Sequence, residues 1–135
     1  FTLPRVDISR ENILEPNEVL ADIHVPLASG LRSTYAKVLD RDAWTHAVVS
    51  VALALEMDGD VVRRAGVVLG GVAPIPWQPE AVEELLAGKR VTESLAAEAG
   101  RLAVDGARPL SKNGYKVTLT ENLVRNTLQS LASEA

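Results

Sequence analysis

Asp42, His46 and Ser50 are of the types a nucleophilic hydrolase needs: an acid to orient, a base to take a proton and a hydroxyl to attack. Their placement argues against that chemistry. They follow one another at short intervals from a polar corner into a regular strand pattern, whereas a nucleophilic serine stands on a strained turn with its partners on separated elements. His24 has no cysteine and no second histidine at a metal-ligand spacing, and reads as a surface histidine. Gly70-Gly71 follows a strand pattern, as a phosphate-binding turn does. Pro74 and Pro76 then stand where a helix should begin, and no Lys-Ser or Lys-Thr pair completes a P-loop. Those glycines read as points of close backbone approach. Two binding features are left. Tyr35 and Lys37 share a parity and suit an aromatic, anionic ligand, although a lysine on an edge strand also guards against aggregation. Trp44 suits either stacking on a planar ligand or capping the core.

The elements that position these residues follow from periodicity. Val49, Val51, Leu53, Leu55 and Met57 fall on one parity, and Val48, Ser50, Ala52, Ala54 and Glu56 on the other, so bulky and small residues line opposite faces of a strand. Asp58-Gly59 suits the two positive-φ positions of a hairpin turn, and Val61 to Leu69 resumes the strand. Upstream, Glu18 to Val25 alternates and reads as a strand ended by Pro26, and Ser33 to Leu39 as another. Phe1 to Pro16 has no sustained period and reads as a loop. Downstream the pattern becomes helical. Pro79 with Glu80, Glu83 and Glu84 predicts a helix start, and Gly88 its end. Thr92 predicts an N-cap for a second helix that runs toward Gly106, weakened by Gly100. Tyr115, Leu119, Leu123, Val124, Leu128 and Leu131 predict the apolar stripe of a third. Strands followed by helices predict an α+β fold.

The 135 residues are one domain's worth of chain. A net charge of -4 with no basic cluster excludes a nucleic-acid footprint. The absence of cysteine excludes disulfides, iron-sulfur ligation and thiol chemistry, and is compatible with a reducing cytoplasm. The longest apolar run, Ala47 to Leu55, is too short to span a bilayer, so no membrane partner is expected. A first residue of Phe in place of Met reads as a fragment, a processed product or a chain whose start lies further upstream.

Particular strings add to this. Leu14-Glu15-Pro16-Asn17-Glu18-Val19-Leu20 and Ile23-His24-Val25-Pro26, then Tyr35-Ala36-Lys37, Arg41 and Asp42-Ala43-Trp44-Thr45-His46-Ala47, stand in an order that resembles the C-terminal domain of the FAD-binding subunit of molybdenum hydroxylases. These are the relatives of xanthine dehydrogenase and carbon monoxide dehydrogenase. Leu69 to Pro76, Leu86 to Lys89, Gly114 to Lys116 and Leu123 to Arg125 continue the resemblance over nearly the whole chain. It implies that residues 1–26 lead in from a preceding FAD-binding domain. Residues 27–135 would then form a three-stranded antiparallel sheet packed against a three-helix bundle. It also implies an oxidoreductase subunit that takes electrons through FAD, completes the flavin site and docks to a molybdenum-cofactor subunit and an iron-sulfur subunit. By the resemblance, flavin contacts fall on Leu20 and Lys37, with Trp44 as a neighbour. The family's glycine-rich pyrophosphate segments lie upstream, so this chain alone is expected to bind FAD weakly or not at all and not to be catalytic. The alternative is a stand-alone, cofactor-free interaction or assembly domain of the same fold.

Overall fold

The computed structural model describes residues 1–133. Four strands lie in the order β1 (Leu31–Val38), β2 (Val49–Asp58), β3 (Val61–Gly70) and β4, with α1 (Glu80–Leu86) between β3 and β4. Strand β4 (Lys89–Arg90) is followed by α2 (Glu93–Ala103) and α3 (Tyr115–Ser133). The sheet is antiparallel throughout.

The alternation in β2 becomes a two-faced strand. Val49, Val51, Leu53 and Leu55 are buried, while Ala52 is exposed. The β2–β3 turn sits one residue later than the sequence predicts. Asp58 pairs with Val61, leaving Gly59-Asp60 as the loop, and Gly59 at φ 56° takes the first loop position, which a type II′ turn reserves for glycine. Past the turn, Met57 pairs with Val62 and Glu56 with Arg64, so Arg63 is the extra residue of a β-bulge. Val62 is therefore buried together with Ala65, Val67 and Leu69, although it has the opposite parity. Arg63 and Arg64 both lie outside, and Arg63 Nη2 meets Glu56 Oε2 at 2.5 Å.

The helices cover one face. α3 lies against β1 and β2, α1 against β3, and α2 packs on α1 and α3. Val124, Leu128 and Leu131 of α3 and Val82 and Leu86 of α1 meet the strand residues in one core. Thr92 caps α2 by accepting a hydrogen bond from the Leu95 amide at 3.2 Å, as its type predicts. Gly100 marks the closest approach of α2 to α3, since a Cβ there would stand 2.6 Å from the Glu121 carbonyl oxygen. Glu83 of α1 accepts the Val67 amide at 2.8 Å and so covers a β3 donor between its two other edge pairings.

Four further expectations are corrected. The sheet has a fourth strand: Gly88, at φ 73°, donates its amide to the Val62 carbonyl and turns the chain back so that Lys89 and Arg90 pair with Val62 and Val61. Two residues carry no period, so nothing in the sequence announces them. Glu18 to Val25 alternates but forms no strand, because no other segment pairs with it. Pro79 is the N-cap of α1, at the helix start but one residue short of the first turn that its type suits. In α3, Tyr115 is exposed, and Thr120 and Thr127 take places in the buried stripe.

Candidate functional site

Among the described residues no helix covers the second face of the sheet. Its middle is a shelf of small residues in register: Ser33 pairs with Ala54 and Ala54 with Gly66, while Tyr35 pairs with Ala52 and Ala52 with Val68. Together they line one shallow depression. The next row is Lys37, Ser50 and Gly70. At Gly70 a Cβ would stand 2.4 Å from Ser50 Oγ, so a larger residue there would need that hydroxyl to turn away. Tyr35 and Lys37 project from the same face of β1, both exposed, and Lys37 is in no ion pair among the described residues. The shelf is therefore flat, apolar and bordered by a phenol and a free ammonium, a surface suited to the face of a planar anionic group.

Trp44 stands on the loop that joins β1 to β2. The residue is 96% exposed, which excludes the core-capping reading, and its backbone is left-handed at φ 53°. A non-glycine residue in that region is strained, and such residues concentrate at functional positions. The corner is held by Arg41 Nη2 donating to the Trp44 carbonyl at 2.5 Å and by Thr45 Oγ1 donating to Asp40 at 2.8 Å. Leu20 lies on the irregular segment before β1 and is 63% exposed. Its aliphatic neighbours Val19, Ile23, Val25 and Leu27 are exposed as well. The structure thus brings Tyr35 and Lys37 together on one face and places Leu20 and Trp44 on the segments that flank β1.

The residues weighed for other chemistry do not assemble. Asp42 and His46 are exposed in the loop, Ser50 is buried within β2, and no hydrogen bond joins them among those of the described residues. His24 is a surface residue paired with Asp22 at 2.9 Å. Among the described residues no group of three His, Cys, Asp or Glu is placed to hold a metal ion. No helix among them is long and apolar enough to cross a membrane. In the first segment, the Ser9 hydroxyl and then its amide donate to Asp7 Oδ1 at 2.6 and 2.8 Å, which holds that carboxyl below the ordinary aspartate range. The shelf escaped the sequence reading, although its signal was present in the small residues of the second β2 parity. The backbone strain at Trp44 had no signal in the sequence.

Residues 34–131 match the family described as the CO dehydrogenase flavoprotein C-terminal domain. The chain is 33% identical over 127 residues to the aldehyde oxidoreductase FAD-binding subunit PaoB of Escherichia coli (strain K12), covering 93% of this chain and 35% of that protein. It superposes on quinoline 2-oxidoreductase from Pseudomonas putida 86 with a TM-score of 0.73 and 26% identity, over 82% of this chain and 40% of that one. Carbon monoxide dehydrogenase from Hydrogenophaga pseudoflava, in a form lacking the Mo-pyranopterin moiety of the molybdenum cofactor, gives a TM-score of 0.71 at 25% identity, over 79% and 38%. The chain spans about a third of the length of the curated relatives it matches.

Proposed function

Because the chain belongs to the CO dehydrogenase flavoprotein C-terminal domain family, we propose that it is the C-terminal part of the FAD-binding electron-transfer subunit of a molybdenum hydroxylase-type oxidoreductase. In this reading residues 27–135 are the family domain, within which the matched residues 34–131 fall. Residues 1–26 are the lead-in from the preceding FAD-binding domain, and the exposed aliphatic residues from Val19 to Val25 find their cover there. The enzyme works in the cytoplasm with a molybdenum-cofactor subunit and an iron-sulfur subunit as partners.

Bound FAD would supply two-electron uptake and release. The residues present fit such a group: the shelf offers small side chains at which a ring can approach closely, and Lys37 is in no ion pair among the described residues. Lys37 favours negative charge on the flavin or its phosphates, Leu20 packs an aliphatic surface on the ring, and Trp44 excludes water from its edge. This chain completes a site held mainly upstream and performs no chemistry alone. The observation that carries the reading is the uncovered shelf with an unpaired lysine at its border, on a sheet whose other face is filled.

Fluorescence titration with FAD tests it. In the full subunit, Lys37→Met is expected to weaken FAD by about tenfold, or 1.4 kcal/mol, with Leu20→Ala also weakening it. The chain of 135 residues is expected not to saturate at low micromolar flavin. Full subunit that purifies free of flavin, or variants that bind as the wild type does, would favour a cofactor-free assembly domain.

A further inference from the structure

Three hydroxyls are buried among the described residues, on Ser50, Thr120 and Thr127. Thr127 donates to the Leu123 carbonyl at 2.7 Å, the ordinary outlet for a hydroxyl in a helix. Thr120 Oγ1 has no partner and is sealed from solvent. Ser50 differs from both. The residue is 6% exposed and its Oγ takes part in no hydrogen bond among those of the described residues, yet the atom is not sealed. It lies on the open face of β2, where the positions that follow are Ala52 and Ala54. An alanine at 50 would extend that row with no polar atom to satisfy.

The neighbours in register set the direction of the hydroxyl. Gly70 stands beside it on β3, and Oγ leans into the space that the missing Cβ leaves. Lys37 stands on its other side on β1, with the two Cβ atoms about 5 Å apart as in any directly opposed pair. Its ammonium is in no ion pair among the described residues, and no hydrogen bond joins it to Ser50. A hydroxyl and an ammonium thus lie side by side at one end of the shelf, each able to donate to an acceptor that comes between them.

We propose that Ser50 is a flavin contact, donating through Oγ to the pyrimidine end of an isoalloxazine ring whose body lies on the shelf. This rests on the flavin reading and adds to it the direction in which the ring lies. The row of Ser33, Ala54 and Gly66, the row of Tyr35, Ala52 and Val68, and the row of Lys37, Ser50 and Gly70 follow one another at about 7 Å along the strands. A fused three-ring system laid on the small residues therefore brings one end over Lys37 and Ser50. The pyrimidine end carries the carbonyl oxygens and takes up negative charge when the flavin is reduced, whereas the dimethylbenzene end is apolar. The donors select the first, and Ala54 and Gly66 accept the second. Because a hydrogen bond to a charged acceptor is stronger than one to a neutral acceptor, Ser50 favours the reduced flavin over the oxidised one.

The test uses the full-length FAD-binding subunit in the complex in which it is made, with the flavin midpoint potential read by spectroelectrochemical titration and FAD affinity by fluorescence. Ser50→Ala should hold reduced flavin about tenfold more weakly relative to oxidised flavin, which lowers the two-electron midpoint by about 30 mV. Lys37→Met should lower it in the same sense and weaken FAD. Since β2 already carries alanine at 52 and 54 on this face, the Tm of Ser50→Ala should be unchanged or higher, so that the shift is not one of folding. If Lys37→Met weakens FAD while Ser50→Ala leaves potential and affinity as in the wild type, the flavin reading stands and the Ser50 contact is overturned; a hydroxyl that served only a water would give that result. Weaker FAD at an unchanged potential puts the hydroxyl on a phosphate and overturns the ring contact, and a raised potential overturns it as well. If the wild-type subunit carries no flavin, or Lys37→Met binds FAD as the wild type does, the flavin reading falls first and the Ser50 contact with it.

Discussion

The two faces of one sheet are built from the same strands by opposite rules. On the covered face Val51, Leu53, Leu55, Val67 and Leu69 are sealed against the helices. On the open face the intervening positions are Ala52, Ala54, Gly66 and Val68, with Tyr35 and Lys37 at the border. Successive residues of a strand therefore serve different ends. Removing bulk from one face takes away buried apolar contact, while adding bulk to the other changes only what can approach it. The difference teaches that stability and recognition in this chain can be altered separately, one residue apart.

Substitutions on the two faces put that separation to the test. Leu53→Ala should lose about 2–5 kcal/mol in urea unfolding, whereas Ala52→Leu should stay within about 0.5 kcal/mol of wild type. A large loss from Ala52→Leu would mean that the shelf is part of the packing. Next in size is Gly100→Ala. Helix propensity alone would make this change stabilising by up to about 1 kcal/mol. The Glu121 carbonyl leaves no room for the methyl group, so a net loss of about 1–2 kcal/mol is expected from thermal unfolding. A rise in Tm would show that α2 and α3 can separate freely. Lys37→Met sharpens the comparison from the recognition side: the weaker FAD binding expected of the full subunit should come with a stability change below about 0.5 kcal/mol.

The smallest effect lies outside both faces. Asp7 is held below the ordinary aspartate range by Ser9, so the order this pair gives to its turn is present at neutral pH and is lost as the pH falls through that lowered value. The carboxyl carbon shift of Asp7 should titrate with a midpoint below that of an ordinary aspartate, and Ser9→Ala should move it back upward.

Much of the covered face was legible. The parity of Val49 to Met57, the glycine at the turn, the Thr92 cap and the order of strands before helices each reflect a rule that acts over a few residues. What escaped depends on distant partners. Glu18 to Val25 has the alternation of a strand but lacks a neighbour to pair with, and Lys89–Arg90 has a neighbour but no alternation. The candidate site was legible only in part. The common direction of Tyr35 and Lys37 follows from their spacing, while the exposure of Trp44, its left-handed backbone and the unpaired Ser50 hydroxyl arise from how loops and strands meet.

The extra residue in β3 makes the hairpin tolerant of one particular shortening. Excising Arg63 would leave Met57 opposite Val62 and Glu56 opposite Arg64, and the ladder between β2 and β3 would simply become regular. The coiling that the bulge imparts would relax, drawing Val61 and Val62 away from the two-residue strand on their other side. That one codon therefore governs how the tip of the ribbon curls onto the edge of the domain, and hardly at all whether the ribbon forms.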